Sequence, residues 1–228
     1  MQKPLRVCLI GAAGRMGRKI VDLAGDDADL DIVSQCDIGD AVEPALTDSD
    51  VVIDFSSADA VTEICAAVTE LRKPLVIGTT GHSPEQRKFI DNAATLSAVM
   101  LASNFSVGVN ALFWLTRKAA ELLGNEFDTE IVEAHHHMKK DAPSGTAKTL
   151  AEGLKQARKL ARPIKIQSIR EGDIVGDHTV IFSTKGERLE FTHRASDRDI
   201  FARGALRAAK WIVGKPPGLY SMQDVLGL

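Results

Sequence analysis

Arg6-Val-Cys-Leu-Ile10-Gly11-Ala-Ala-Gly14-Arg-Met-Gly17 is the stretch that decides how this chain is organised. Residues 6–10 form a short β-branched and apolar run, and a helical pattern follows from Arg15 to Gly25. Glycines between them allow a sharp turn and leave the backbone open to a pyrophosphate that side chains would block. The helix start adds free N–H groups and a partial positive charge facing the anion. The spacing is GxxGxxG rather than GxGxxG, so context carries the reading. A strand precedes it, a helix follows, and Asp37 ends a second strand pattern at Leu30–Cys36, placed to accept hydrogen bonds from ribose hydroxyls. Gly11, Ala12, Ala13, Gly14, Arg15, Met16, Gly17 and Asp37 are therefore expected to hold a dinucleotide.

Outward from this loop, strand patterns recur at 51–55, Leu75–Ile77 and Ala98–Leu101, with helical patterns at 58–72 and 84–96. Ser56 and Ser83 stand where they would cap those helices. Strands alternating with helices at this spacing predict a Rossmann-type, doubly wound parallel sheet. The pattern changes after Phe105. A helix over 109–123 runs into Gly124, and strands follow at 129–134, 164–169, 174–182 and 188–192, interrupted by a helix over 146–160. Short Gly-containing turns such as Lys185-Gly186 predict a mostly antiparallel or mixed sheet in a second, α+β domain. A last helix, over 199–213, ends before Gly214 and Pro216-Pro217.

Bulk properties exclude several classes. With 44% hydrophobic and 26% charged residues and a formal net charge of -3, the chain lacks the basic balance expected of a nucleic-acid partner. No apolar run approaches the roughly 18 residues that span a bilayer, so no membrane partner is expected. The start is too short of apolar residues before its glycine turn for a signal peptide. Cys8, Cys36 and Cys65 lie in separate apolar segments and read as buried small hydrophobes in a reducing, cytoplasmic compartment.

The densest chemistry lies at Glu133-Ala-His-His-His-Met-Lys-Lys-Asp-Ala-Pro-Ser-Gly-Thr146. Histidines and lysines collect at the end of a predicted strand. His135 and His136 can line one surface if the strand ends between them, because consecutive strand side chains point to opposite faces. Pro143-Ser144-Gly145-Thr146 looks like a turn into a helix, a second anion site, which suits a small, multiply carboxylated substrate. A solvated basic loop, a metal-binding histidine cluster and an accidental histidine run are the alternatives, the last opposed by its position beside a helix-start anion site. No cysteine or carboxylate at ligand spacing along the chain completes a metal site, so none is expected.

These blocks together resemble the dihydrodipicolinate reductase family. The resemblance is carried by 11–17, Val51-Val-Ile-Asp-Phe-Ser56, Val76-Ile-Gly-Thr-Thr-Gly81, Asn104-Phe-Ser-Val-Gly-Val-Asn110, Glu133-Ala-His-His136 with Lys139, Asp141-Ala-Pro-Ser-Gly-Thr146, Arg170-Glu-Gly-Asp-Ile-Val-Gly176 and Gly186-Glu-Arg-Leu-Glu190, in family order. It implies reduction of 4-hydroxy-tetrahydrodipicolinate to tetrahydrodipicolinate with NADH or NADPH, releasing water, on the diaminopimelate route to lysine. It implies His135 as proton donor and acceptor, Lys139 as proton donor, and His136, Ser144, Gly145 and Thr146 as substrate contacts. Gly78, Thr79, Thr80, Ala102, Ser103, Asn104 and Phe105 would join 11–17 and Asp37 around the cofactor. A homotetramer assembled through the second domain's sheet is also implied, with domains at 1–105, completed by 205–228, and 106–204.

Departures from the family pattern are local. His137 and Met138 replace an Arg-His pair of some relatives, and Ile38 stands where some members carry arginine. Arg15 is a candidate compensating cation for a 2′-phosphate, but with Asp37 repelling that group NADH is expected to serve at least as well as NADPH. His137 and Lys140 are expected to be scaffold or solvent-facing. The stretch between Asp37 and Val51 is short.

Overall fold

Val7, Cys8, Leu9 and Ile10 are all buried, so the first strand is covered on both faces, as a strand inside a parallel sheet must be. The computed structural model describes residues 3–228. It divides into two compact units, one running through Ser106 and resuming at Asp199–Leu228, the other being Val107–Arg198.

In the first unit β1 (Leu5–Ile10), β2 (Leu30–Cys36), β3 (Val51–Asp54), β4 (Leu75–Ile77), β5 (Ala98–Leu101) and β10 (Gly218–Tyr220) form one sheet in the order β10-β5-β4-β3-β1-β2. Every neighbouring pair is parallel. Alternate residues feed two cores. Val7, Leu9, Val76 and Met100 pack with α1 (Arg15–Gly25), α7 (Asp199–Ile212) and α8 (Met222–Leu226). Cys8, Ile10, Leu75, Ile77 and Val99 pack against α2 (Val42–Leu46), α3 (Val61–Glu70) and α4 (Pro84–Ala94). Each fully buried Leu or Ile contributes about 1.5–3 kcal/mol relative to exposure. The chain leaves the carboxyl end of β1 toward β2 and that of the neighbouring β3 toward β4, in opposite directions. That switch point opens the crevice where such sheets bind ligands.

The second unit has the sheet order β7-β6-β8-β9, built from β6 (Asp128–His135), β7 (Lys165–Arg170), β8 (Gly176–Thr184) and β9 (Glu187–Ala195). The β6–β7 pair is parallel and the other two are antiparallel, so the sheet is mixed. One face is covered by α5 (Val107–Leu123) and α6 (Gly145–Arg158). There Ile131, Val180 and Phe182 are wholly buried with Leu150 and Leu154. Along that same face the residues turn polar toward one end: Ile131, Glu133 and His135 on β6, then Val180, His178 and Gly176 on β8.

Ser83 caps α4 with a reciprocal capping box to Gln86 and Pro84 in the first turn. Ser56 is not a cap. Its hydroxyl bonds to Asp54, and a 3-10 turn over Ala58–Ala60 precedes α3, which starts at Val61. The short α2, α8 and the edge strand β10 lie outside the sequence expectation, as does the later start of β8. Among the described residues no helix is long and apolar enough to cross a membrane.

Candidate active site

At the carboxyl end of β1 the chain turns through Gly11, whose φ of +82° is strained for any L side chain. A Cβ there would also stand 2.5 Å from the Phe55 carbonyl oxygen, because β3 passes close by. Gly17 is constrained from the other side, where a Cβ would strike the Gly11 and Ala12 carbonyls. These two contacts pull the loop tightly onto the sheet and leave Ala13, Gly14 and Arg15 exposed. Gly14 is the N-cap of α1 and supplies no capping side chain, and no acid stands in the first turn. The helix start therefore presents N–H groups and a partial positive charge with no acid of its own first turn set against them. The Asp37 carboxylate accepts from Ala13 N at 3.1 and 3.0 Å, which ties the end of β2 to this loop. An exposed backbone cradle with an acid at its edge fits the pyrophosphate and ribose of a dinucleotide.

The ends of β4 and β5 open beside one another in the same unit. Thr79, Thr80, His82, Arg87, Ala102 and Ser103 line one cleft there. Phe105 is buried against Phe55, ring centroids 5.6 Å apart, and Asn104 accepts from Ser106 N at 2.8 Å to shape the turn. Ile38, by contrast, is fully exposed.

In the second unit β6 ends at His135, so His135 faces the helices while His136 leaves the strand. His136 N bonds to the Ile174 carbonyl at 2.7 Å, and Arg198 approaches its Nε2 at 3.3 Å. Lys139 N closes a turn onto the His136 carbonyl, and Lys139 Nζ pairs with the Asp141 carboxylate at 2.8 Å. His137 and Lys140 are exposed, with His137 Nδ1 on the Gly172 carbonyl. Ser144 is buried. Its hydroxyl caps α6 by accepting from Ala147 N and lies 3.1 Å from His178 Nε2, while Gly145 is exposed and Thr146 half-buried at the helix start.

Glu133 is the centre of this cluster, with no exposed surface. Arg170 grips it with both terminal nitrogens, at 3.0 Å to Oε2 and 2.8 Å to Oε1, and Ser144 N adds a bond at 3.2 Å. His135 Nδ1 lies 2.5 Å from Oε2. Burial pushes the carboxyl up, but hydrogen bonds from Arg170, Ser168, His135 and Ser144 outweigh it and hold the group at about 2. Burial holds His135 below its ordinary value against the pull of Glu133. It holds His178 down to about 4, helped by the neighbouring His135.

Folding thus brings a carboxylate to the histidines, which spacing along the chain does not show. Donor atoms of Glu133, His135 and His178 lie within 4.8 Å of one another. The Arg170 fork occupies both Glu133 oxygens, however, so the chemistry of the set fits a charge-compensated hydrogen-bond network rather than a resident cation. Arg170 and His178 are the residues that sequence reasoning missed. Pairing of β6 with β7 and β8, which places Arg170 opposite His135 and His178 opposite Glu133, is the signal that finds them.

Comparison with known proteins decides the family. Family models described as "Dihydrodipicolinate reductase, N-terminus" and "Dihydrodipicolinate reductase, C-terminus" match residues 5–105 and 108–226. The chain belongs to the dihydrodipicolinate reductase family. It is an NAD(P)H-dependent oxidoreductase. A 4-hydroxy-tetrahydrodipicolinate reductase of Akkermansia muciniphila is 48% identical, with 98% of each chain covered. One from Aquifex aeolicus is 43% identical over 98% of this chain and 99% of its own. A dipicolinate-bound dihydrodipicolinate reductase from Paenisporosarcina sp. TG-14 has the same fold, with a TM-score of 0.80 at 23% identity, covering 97% of this chain and 98% of that one.

Proposed function

We propose that this chain reduces 4-hydroxy-tetrahydrodipicolinate to tetrahydrodipicolinate, releasing water, on the diaminopimelate route to lysine, and that it uses NADH at least as well as NADPH. The observation that carries the reading is the assembly of His135, His136, Lys139 and the start of α6 around the carboxyl end of one strand, β6. Bound NADH or NADPH supplies the hydride. Residues 11–17 and Asp37 hold its pyrophosphate and ribose, and Gly78, Thr79, Thr80 and 102–105 hold its other end, all within the first unit.

The substrate belongs to the second unit, Val107–Arg198. Gly145 and Thr146, at the N-terminus of α6, and His136 bind its carboxylates. Ser144 sets that helix start, and its hydroxyl is already engaged by Ala147 N. Lys139 delivers the proton that neutralises charge developing on the ring, and His135 exchanges protons beside it. The Lys139 partner Asp141 is more than half exposed, so the pair is weak and the ammonium is free to turn to an anionic substrate. Asp37 repels a 2′-phosphate, and Ile38 offers no cation to offset it.

Two features of the chain support further parts of this reading. Cys8, Cys36 and Cys65 are free and buried, as suits a reducing cytoplasm. The second sheet keeps one face outside its helix-covered core, where Val132, Ala134, Thr179 and Ile181 are half-buried and Ile169 is 42% exposed. That face suits assembly into a homotetramer. Oxidation of NADH with freshly prepared hydroxytetrahydrodipicolinate tests the function, and turnover is expected. Cofactor binding without turnover would instead mark a nucleotide-sensing module, and turnover only of a polyol would mark an inositol-type dehydrogenase.

A further inference from the structure

His135 is a buried imidazole, 8% exposed, so its ionisation is set by its neighbours more than by water. The groups facing it come from several elements: Glu133 on its own strand, Arg170 on β7, His178 on β8 with rings 5.1 Å apart, and Lys139 in the following turn. His193 on β9 faces His178 in turn. Lys139 and Arg170 disfavour a charged imidazole, and Glu133 favours it.

Glu133 is saturated. Oε1 accepts from Arg170 Nη2 and Ser144 N, and Oε2 accepts from Arg170 Nη1 beside His135 Nδ1. An ionised carboxylate only accepts hydrogen bonds, so the hydrogen between Glu133 and His135 belongs to Nδ1. Nε2 then carries the lone pair. Gly176 gives that nitrogen room, since a Cβ at 176 would stand 3.1 Å from it.

We infer that Glu133, kept ionised by the Arg170 fork, is a positioning residue that fixes His135 in the Nδ1–H tautomer and leaves Nε2 as the proton-exchanging atom. This inference rests on the reading of His135 as a proton-transfer residue. The carboxylate acts through the ring, as the acid of an Asp–His pair does, orienting it and stabilising its charged form without itself taking up the proton. Arg170 is what makes this arrangement workable, because a wholly buried acid without it would bind a proton and lose its hold on the tautomer.

Imidazole nitrogen chemical shifts, measured by NMR on the free enzyme, test this directly. In the unsubstituted protein His135 is expected to show a protonated Nδ1 and an unprotonated Nε2 at neutral pH. In Glu133→Gln the amide oxygen faces Arg170 Nη2 and Ser144 N, the amide nitrogen faces His135 Nδ1 and loses the bond from Arg170 Nη1, and the hydrogen moves to Nε2. His135 then titrates lower by about one unit or more. The same variant is expected to lose at least about 100-fold in kcat, with the KM for NADH little changed, a split that general loosening would not produce. Glu133→Asp, which keeps a carboxylate but withdraws it, is expected to show a smaller downward move in titration and a partial recovery of kcat. It also carries the test if Glu133→Gln fails to fold. An unmoved tautomer and titration in the folded variants would overturn the inference. Because the shifts are read without substrate, a moved tautomer in an enzyme that turns over no dipicolinate precursor would defeat the functional reading and leave only the tautomer assignment standing.

Discussion

Between Gly11 and Gly17 the loop presents backbone N–H groups, whereas the cluster at the carboxyl end of β6 is built from side chains gathered from separate elements. The first region depends on what is missing, a Cβ at two positions. The second depends on a buried carboxylate whose every oxygen is engaged. A backbone site degrades gradually as neighbouring side chains change. A buried charge network fails as a unit, because removing one member leaves another desolvated and unpaired.

Lys139→Ala should produce the largest effect, since it removes the proposed proton donor without touching the loop at 11–17. We expect kcat to fall by about 10²- to 10⁴-fold. The dissociation constant for NADH, from fluorescence titration, should stay within about twofold of the unsubstituted value. Near-equal turnover in this variant would remove Lys139 from the mechanism and weaken the contrast between the two regions.

Arg170→Met should follow, read as stability rather than rate. It strands the Glu133 carboxylate, which has no exposed surface, and breaking one side of a buried pair costs about 3–5 kcal/mol. Chemical denaturation should show that loss at neutral pH, and the double variant with Glu133→Gln should recover much of it. Additive losses in the double variant would mean that the two side chains do not act as a pair.

The cluster should also leave two separate marks on stability as pH falls. His178 is held down to about 4 from an ordinary 6.5, chiefly by burial. The unfolded chain therefore takes up its proton first, and stability present above 6.5 drains away down to about 4, by about 3 kcal/mol in all. Glu133 works in a lower window: its contribution is present above 4.5 and is lost as pH falls toward about 2. Replacing His178 with Gln should shrink the upper window to the part that His135, also held below its ordinary value by burial, contributes, and leave the lower one in place. Unfolding free energies measured at intervals from pH 8 down to roughly 2 would show whether the windows separate.

Much of this was legible before folding, and what was not has a physical reason. The glycine loop, Ser83 as a cap, and the helix start at Ser144 all act over a few residues, so local spacing reveals them, and Asp37 is found because it ends the second strand pattern although its partner Ala13 lies 24 residues away. The buried network is different. Arg170 and His178 reach Glu133 only through strand pairing across 37 and 45 positions, which periodicity along one strand does not encode. Ser56 misled for a related reason: its hydroxyl prefers the buried Asp54 two residues back over the helix that follows. The ends of β8 shifted because Ile174 and Val175 are as strand-like as the residues that pair. Strand β10 has only three residues and earns its place by lying beside β5.

Cofactor choice returns the comparison to the first region, where the expected effect is smallest. Ile38 is fully exposed and follows Asp37, whose carboxylate is anchored to Ala13 N. In Ile38→Arg a guanidinium beside that carboxylate would offset its charge and offer donors to a 2′-phosphate. The ratio of kcat/KM for NADPH to that for NADH should rise about tenfold, equivalent to about 1.4 kcal/mol. Because the new cation sits in solvent, raising the ionic strength should shrink the gain, the screening length being about 8 Å at 0.15 M. A ratio that does not move at either salt concentration would place the adenosine ribose away from Asp37. The backbone cradle of 11–17 would then have to bind its pyrophosphate without help from the end of β2.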